Sequence, residues 1–152
     1  MMSSNLYTTD NPVFSAYLFY CAILVLKVLL MAPLTGRYRF TKRIFANPED
    51  KLPRSIVKYD DPDIERVRRA HLNDLENIPV FMVAALLYIA TKPSYWLALN
   101  LFRTFTIARI IHTLVYAVVV IPQPARALAW VVGYAATVYI AVQVILFSLI
   151  KY

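Results

Sequence analysis

The amino-acid sequence predicts an all-α integral membrane protein, a four-helix up-down bundle, and three observations carry that prediction. Sixty per cent of the 152 residues are apolar, and the mean hydropathy is +0.55, well above the range of a soluble domain. The apolar residues fall into four long runs separated by proline-bearing breaks. Ten of the 16 Lys/Arg residues fall between Arg37 and Arg69, as expected for a loop flanking a membrane on its cytosolic side. A chain of this length is most simply one domain, residues 1–152.

The first helix is expected over about 12–36. Asn11-Pro12 suits its start, Pro33 and Gly36 weaken its end, and Lys27 is its one charge. Residues 1–11 carry no Lys or Arg, so this run reads as a retained membrane helix rather than a secretory signal. A polar connection with Pro48 and Pro53 fills about 37–61. The second helix is expected over about 62–91, with Asp61 as cap, Pro62 in the first turn, and a kink before Pro79. Lys92-Pro93-Ser94 marks a tight turn. A third helix follows over about 95–121, stopped by Pro122-Gln123-Pro124, and a fourth over about 125–150. Short second and third connections favour antiparallel neighbours. The positive-inside rule puts the first and third connections in the cytosol and both termini across the membrane.

Several function classes are disfavoured by composition. The excess charge of +7 would suit nucleic acid, but six Asp/Glu accompany the ten clustered Lys/Arg and no recognition motif is present. Two glycines, Gly36 and Gly133, cannot build a phosphate-cradling loop. Cys21 stands alone, so an intrachain disulfide or multi-cysteine metal site is excluded. His71 and His112 lack the spacing of a zinc protease, so no metal is expected. No Gly-x-Ser-x-Gly elbow occurs.

The informative stretch is Glu65 to Asn77, which runs directly into the apolar segment Ile78 to Thr91. That segment reaches only about 21 Å at ~1.5 Å per residue, against a bilayer core of about 30 Å. Some of His71, Asn73, Asp74, Glu76 and Asn77 are therefore drawn into the membrane, where ionisable groups persist only with a partner. Arg66, Arg69, Asn73 and Glu76 share one helical face; Arg109, His112 and Tyr116 share another; Arg126 and Trp130 are one turn apart at the start of the fourth helix. Three helices thus aim polar groups into the cytosolic half, with Lys27 and Arg103 as exceptions on the lumenal side. Arginines grip carboxylates, and Glu76 or Asp74 can hold an ammonium. A ligand with two carboxylates and one amine fits this inventory. Alternatively, Asp74 or Glu76 neutralises Arg69 or Arg109 within the protein, and His112 is a core histidine.

These residues also carry a resemblance. Phe45-Ala46-Asn47-Pro48-Glu49-Asp50, the stretch Glu65 to Ile78, Ala108-Arg109-Ile110-Ile111-His112-Thr113 and Pro122-Gln123-Pro124-Ala125-Arg126-Ala127-Leu128 resemble the membrane-associated proteins in eicosanoid and glutathione metabolism, most of all their microsomal glutathione transferase branch. The resemblance implies a homotrimer in the endoplasmic reticulum membrane, and also the mitochondrial outer membrane, with glutathione as co-substrate at subunit interfaces open to the cytosol. It implies Arg39, Arg69, Asn73, Glu76, Arg109, Tyr116 and Arg126 as glutathione contacts, with Arg126 and Asp50 in the chemistry. The implied activity is conjugation of glutathione thiolate to hydrophobic electrophiles, together with peroxidase action on lipid hydroperoxides. Lys51 stands where the mammalian transferase has a cysteine, so activation by thiol modification there is not expected. Leu72, Ala127 and Trp130 replace an arginine, a serine and a tyrosine of the prostaglandin E synthase branch, which argues against the alternative, a glutathione-dependent isomerase. A further alternative is a non-enzymatic helix module whose charges only pair its helices.

Overall fold

The computed structural model describes residues 6–151 as a four-helix bundle. Its helices are α1 (Pro12–Leu29), α2 (Met31–Lys42), α3 (Pro62–Ile89), α4 (Tyr95–Thr113) and α5 (Ala125–Lys151). Among the described residues, four spans are long and apolar enough to cross a membrane: Pro12–Lys42, Pro62–Ile89, Tyr95–Val118 and Ala125–Lys151.

Local chemistry sets most boundaries. Asn11 Oδ1 accepts from the Val13 N–H at 3.0 Å and starts α1. Asp61 Oδ1 accepts from the N–H groups of Asp63 and Ile64 at 3.1 and 3.2 Å and starts α3. Ser94 Oγ accepts from the Leu97 N–H at 3.4 Å and starts α4. Lys92 takes a left-handed φ of 53° between α3 and α4, the turn expected at Lys92-Pro93-Ser94.

The first span is longer than the sequence suggests, reaching Lys42 rather than residue 36. Pro33 lacks the N–H that would bond the Leu29 carbonyl, so regularity lapses at Leu30, one turn earlier. Leu34 N–H still bonds the Leu30 carbonyl at 3.1 Å and the helix resumes. The true stop is Arg43, at φ 56°. Arg39 is therefore helical, and the connection begins at Arg43 rather than residue 37. Within that connection, Ile44–Phe45 and Ile56–Val57 pair as a short parallel bridge (β1 and β2). Lys42 clasps both Asp61, at 2.8 Å, and Asp63, tying the end of α2 to the start of α3.

The third span also departs from expectation. Its α-helical part ends at Thr113, and Leu114–Val118 form a widened π-helical turn rather than α-helix to residue 121. Val119 N–H bonds the Leu114 carbonyl at 2.8 Å, five residues back, and Ile121 N–H reaches Val115 at 3.0 Å. Pro122 and Pro124 have no N–H to continue the ladder. α3 runs without interruption through Pro79, ending at Ile89 rather than residue 91.

The core joins Leu24 of α1, Phe81 and Ala85 of α3, Phe102 and Phe105 of α4, and Ala136 and Ile140 of α5. The Phe81 and Phe105 rings stack at 3.7 Å, and Gly133 brings α5 close over Phe105. Leu26, Leu29, Leu30, Val80, Val83, Leu128, Ile145 and Leu149 all face outward. So many exposed branched side chains suit lipid or another subunit, not water.

Candidate functional site

Two groups of polar side chains occupy the bundle, and they are built differently. The inner group centres on Asp74, which has no exposed surface. Its carboxylate accepts from Arg109 Nη2 at 2.6 Å and Nε at 3.2 Å, and is ion-paired with Lys27. Arg109 is 1% exposed and Lys27 8%. Lys27 thus meets Asp74 rather than grouping with Arg103 as the sequence suggested. It lies midway along the Pro12–Lys42 span and meets α3 at the level of Asp74. Arg103 stands apart, donating from Nε to Tyr20 Oη at 3.2 Å. An isolated buried charge would be very costly; here each is paired and hydrogen-bonded.

Arg109 Nη2 also donates to Asn73 Oδ1 at 2.9 Å, and lies 3.5 Å from His112 Nδ1. The guanidinium therefore stands behind Asn73, which it orients, and beside His112. The sequence left open whether Asp74 or Glu76 neutralises an arginine. Asp74 does so.

The outer group lines a cleft of about 390 Å³ between α3, the π-helical turn and α5, within the size range of small-molecule sites. Arg69, Asn73 and Glu76 come from α3, Tyr116 from the widened turn, and Arg126 and Trp130 from α5, while His112 closes the end nearest Arg109. Arg69 Nε donates to Tyr116 Oη at 3.3 Å. The Arg126 guanidinium carbon sits 4.4 Å from the centroid of the same ring, in cation–π range. His112 meets that ring edge-on at 5.6 Å. Tyr116 is thus the pivot that holds two arginines in place while leaving most of their N–H donors open.

Glu76 is exposed and has no ion-pair partner among the described residues. The cleft therefore presents two guanidinium groups and one carboxylate, with amide and hydroxyl groups between them. Leu72, Ala127 and Trp130 supply an apolar wall. That combination suits a small molecule bearing anionic groups and one cation, with an apolar wall beside it.

Five of the residues implicated by the sequence, Arg69, Asn73, Glu76, Tyr116 and Arg126, meet in this cleft. Three others lie outside its wall. Arg109 is in the inner network. Arg39 is on the last turn of α2. Asp50 is in the connection, exposed, accepting from Asn47 Nδ2 at 2.9 Å. Gln123 was missed. It read only as part of a proline stop, yet its side chain lines the cleft and its Oε1 accepts from the Ala127 N–H at 3.3 Å. A polar residue three positions before Arg126 and held between two prolines was the available signal.

A model described as the MAPEG family matches residues 17–146 of the chain. The chain is 45% identical over 138 residues to human microsomal glutathione S-transferase 1, covering 87% of this chain and 88% of that protein. It is 44% identical over 139 residues to the bovine protein of the same name, with the same coverage. Bovine prostaglandin E synthase is 34% identical over 147 residues, covering 95% of each chain.

Proposed function

Because the chain belongs to the MAPEG family, we propose that it is a membrane glutathione transferase whose active site is the cleft between α3 and α5. The observation that carries this reading is the convergence of Arg69, Asn73, Glu76, Tyr116 and Arg126 on one cleft. Glutathione has two carboxylates, one ammonium and one thiol. Arg69 receives a carboxylate, Glu76 the ammonium, and Asn73 and Tyr116 the amide backbone between them. Arg109 acts through Asn73, as a positioning residue.

A free thiol with pKa near 8.5 is only a few per cent ionised at pH 7. A fixed guanidinium beside the sulfur favours the anion. Arg126 is the residue for this task, since it is half-buried, lines the cleft and is held over Tyr116 rather than consumed by a carboxylate. The thiolate attacks an electrophilic carbon, forming a C–S bond while the leaving group departs with its electron pair. With a hydroperoxide it attacks the terminal oxygen, the O–O bond breaks and the alkoxide takes a proton. The resulting sulfenic acid condenses with a second glutathione to give the disulfide and water. Leu72, Ala127 and Trp130 face the lipid-borne reactant.

The site is completed in a homotrimer. Arg69 and Glu76 are exposed in the single chain, and Arg39 and Asp50 lie off the cleft; a neighbouring copy that brings Arg39 and Asp50 to this opening encloses the tripeptide. The excess of Lys/Arg in the first connection supports a cleft that opens to the cytosol, with the endoplasmic reticulum membrane as the proposed location and the mitochondrial outer membrane as a second. Purified protein is expected to conjugate glutathione to chlorodinitrobenzene and to reduce a lipid hydroperoxide. Absence of both, with no glutathione-dependent turnover of prostaglandin endoperoxide, would remove the proposal; turnover of endoperoxide alone would transfer it to the isomerase reading.

A further inference from the structure

Tyr116 also lines a second polar cleft. This one, of about 330 Å³, is lined by Arg66, Arg69, Val115, Tyr116, Val120, Ile121, Gln123 and Arg126. It shares Arg69, Tyr116, Gln123 and Arg126 with the glutathione cleft, but Asn73, Glu76 and His112 line only the first. Three arginines therefore converge on it with no carboxylate in its wall. Asp63 takes one Arg66 N–H at 2.8 Å, Tyr116 takes the Arg69 Nε–H, and the remaining guanidinium donors of these two residues have no hydrogen-bond partner among the described residues. A guanidinium carries five N–H donors, so the surplus is large.

We propose that this second cleft is an anion site that takes a phosphate group, presented either by a phospholipid headgroup or by a soluble phosphoryl compound. Three features select that chemistry. Clustered guanidinium groups match the tetrahedral oxygens of phosphate with paired hydrogen bonds. The lack of a carboxylate gives an ammonium no counter-charge, so the amine-bearing end of glutathione belongs to the first cleft. Val115, Val120 and Ile121 form an apolar edge at the end of a membrane span, where a headgroup meets its acyl chains. Because Arg69 and Arg126 serve both clefts, occupancy of the second draws on the donors that the first uses for glutathione. Phosphate and glutathione therefore oppose one another.

The test is direct binding to the full-length protein in maltoside micelles, free of glutathione, so that it does not depend on the transferase reading. Inorganic phosphate, and separately phosphatidic acid, are titrated at constant ionic strength and followed by phosphorus NMR line width. Wild-type protein is expected to bind at least one of them saturably. Arg66→Gln, which leaves the glutathione cleft intact, should weaken binding roughly tenfold, the scale of one lost charge-assisted contact. Arg103→Gln removes an equal charge elsewhere and should leave binding unchanged. Preference for phosphatidic acid identifies a headgroup as the occupant; preference for inorganic phosphate identifies a soluble one. No saturable binding of either, or equal weakening by Arg66→Gln and Arg103→Gln, overturns the proposal.

Discussion

The inner triad of Lys27, Asp74 and Arg109 and the outer cleft charges Arg69, Glu76 and Arg126 each combine two cations with one carboxylate, arranged oppositely. In the triad every charge is buried and has a partner within the chain, the two cations sharing one carboxylate. In the cleft the arginines are held by an aromatic ring and a hydroxyl, and Glu76 has no ion-pair partner among the described residues. A buried network completed by the protein fixes helices; a set of oriented but unanswered charges is left for a ligand to complete. Asn73 joins the two, taking a hydrogen bond from Arg109 on one side and lining the cleft on the other.

The sharpest way to break this contrast is Asp74→Ala. It leaves Lys27 and Arg109 buried without a counter-charge and should cost about 3–5 kcal/mol, read as loss of the folded protein in a denaturation series. Replacing the whole triad with apolar residues of similar volume should cost much less, because no orphaned charge remains. Equal losses in the two experiments would deny the triad its structural role.

Arg126→Ala comes next. It should lower the conjugation rate about 10²–10³-fold, the scale for removing one preorganised electrostatic contact, while the denaturation midpoint stays within experimental error. A stability loss matching that of Asp74→Ala would place Arg126 with the structural charges. Glu76→Gln should raise the KM for glutathione roughly tenfold with kcat little altered, since it removes binding common to ground and transition states. A fall in kcat alone would reassign Glu76 to the chemistry.

The smallest effect concerns the clasp outside the membrane. The hydrogen bond from Lys42 holds the Asp61 carboxyl below its ordinary 3.8, helped by the N–H groups of Ile64 and Asp63. A carboxyl with a depressed folded-state pKa stabilises the fold above its unfolded pKa, and that contribution disappears as pH falls through the folded value. The connection should therefore stay anchored across neutral pH and loosen only in acid, below about pH 4. Asp61→Asn should lower stability across neutral pH and converge with wild type in acid, so that the acid limb of the stability–pH curve is flattened. An unchanged acid limb would show that the clasp does not contribute.

Periodicity explains what could be read in advance. Charges three, four and seven residues apart must share a helical face, so the shared faces of Arg69, Asn73 and Glu76, and of Arg126 and Trp130, were visible before any coordinates. Pairing between distant segments was not. Lys27 and Asp74 are 47 residues apart, and counting along one helix does not reveal which residue on another stands at the same depth. Lys27 was therefore grouped with Arg103 instead of with Asp74. Backbone effects at proline were legible in kind but not in place. Pro33 interrupts regularity at Leu30 without ending the helix. Pro122 and Pro124 reach back through missing donors to widen the turn that carries Tyr116. Arg39 and Asp50, implied by resemblance alone, lie off the cleft, and Arg109 stands behind it at Asn73.

The most direct measurement compares the ultraviolet absorbance of glutathione thiolate bound to purified wild-type protein and to Arg126→Ala, across a pH titration. The account predicts that wild type ionises the bound thiol well below its solution pKa, and that the variant binds glutathione but leaves the thiol protonated near pH 7. Bound glutathione with the same ionisation curve in both proteins would contradict it.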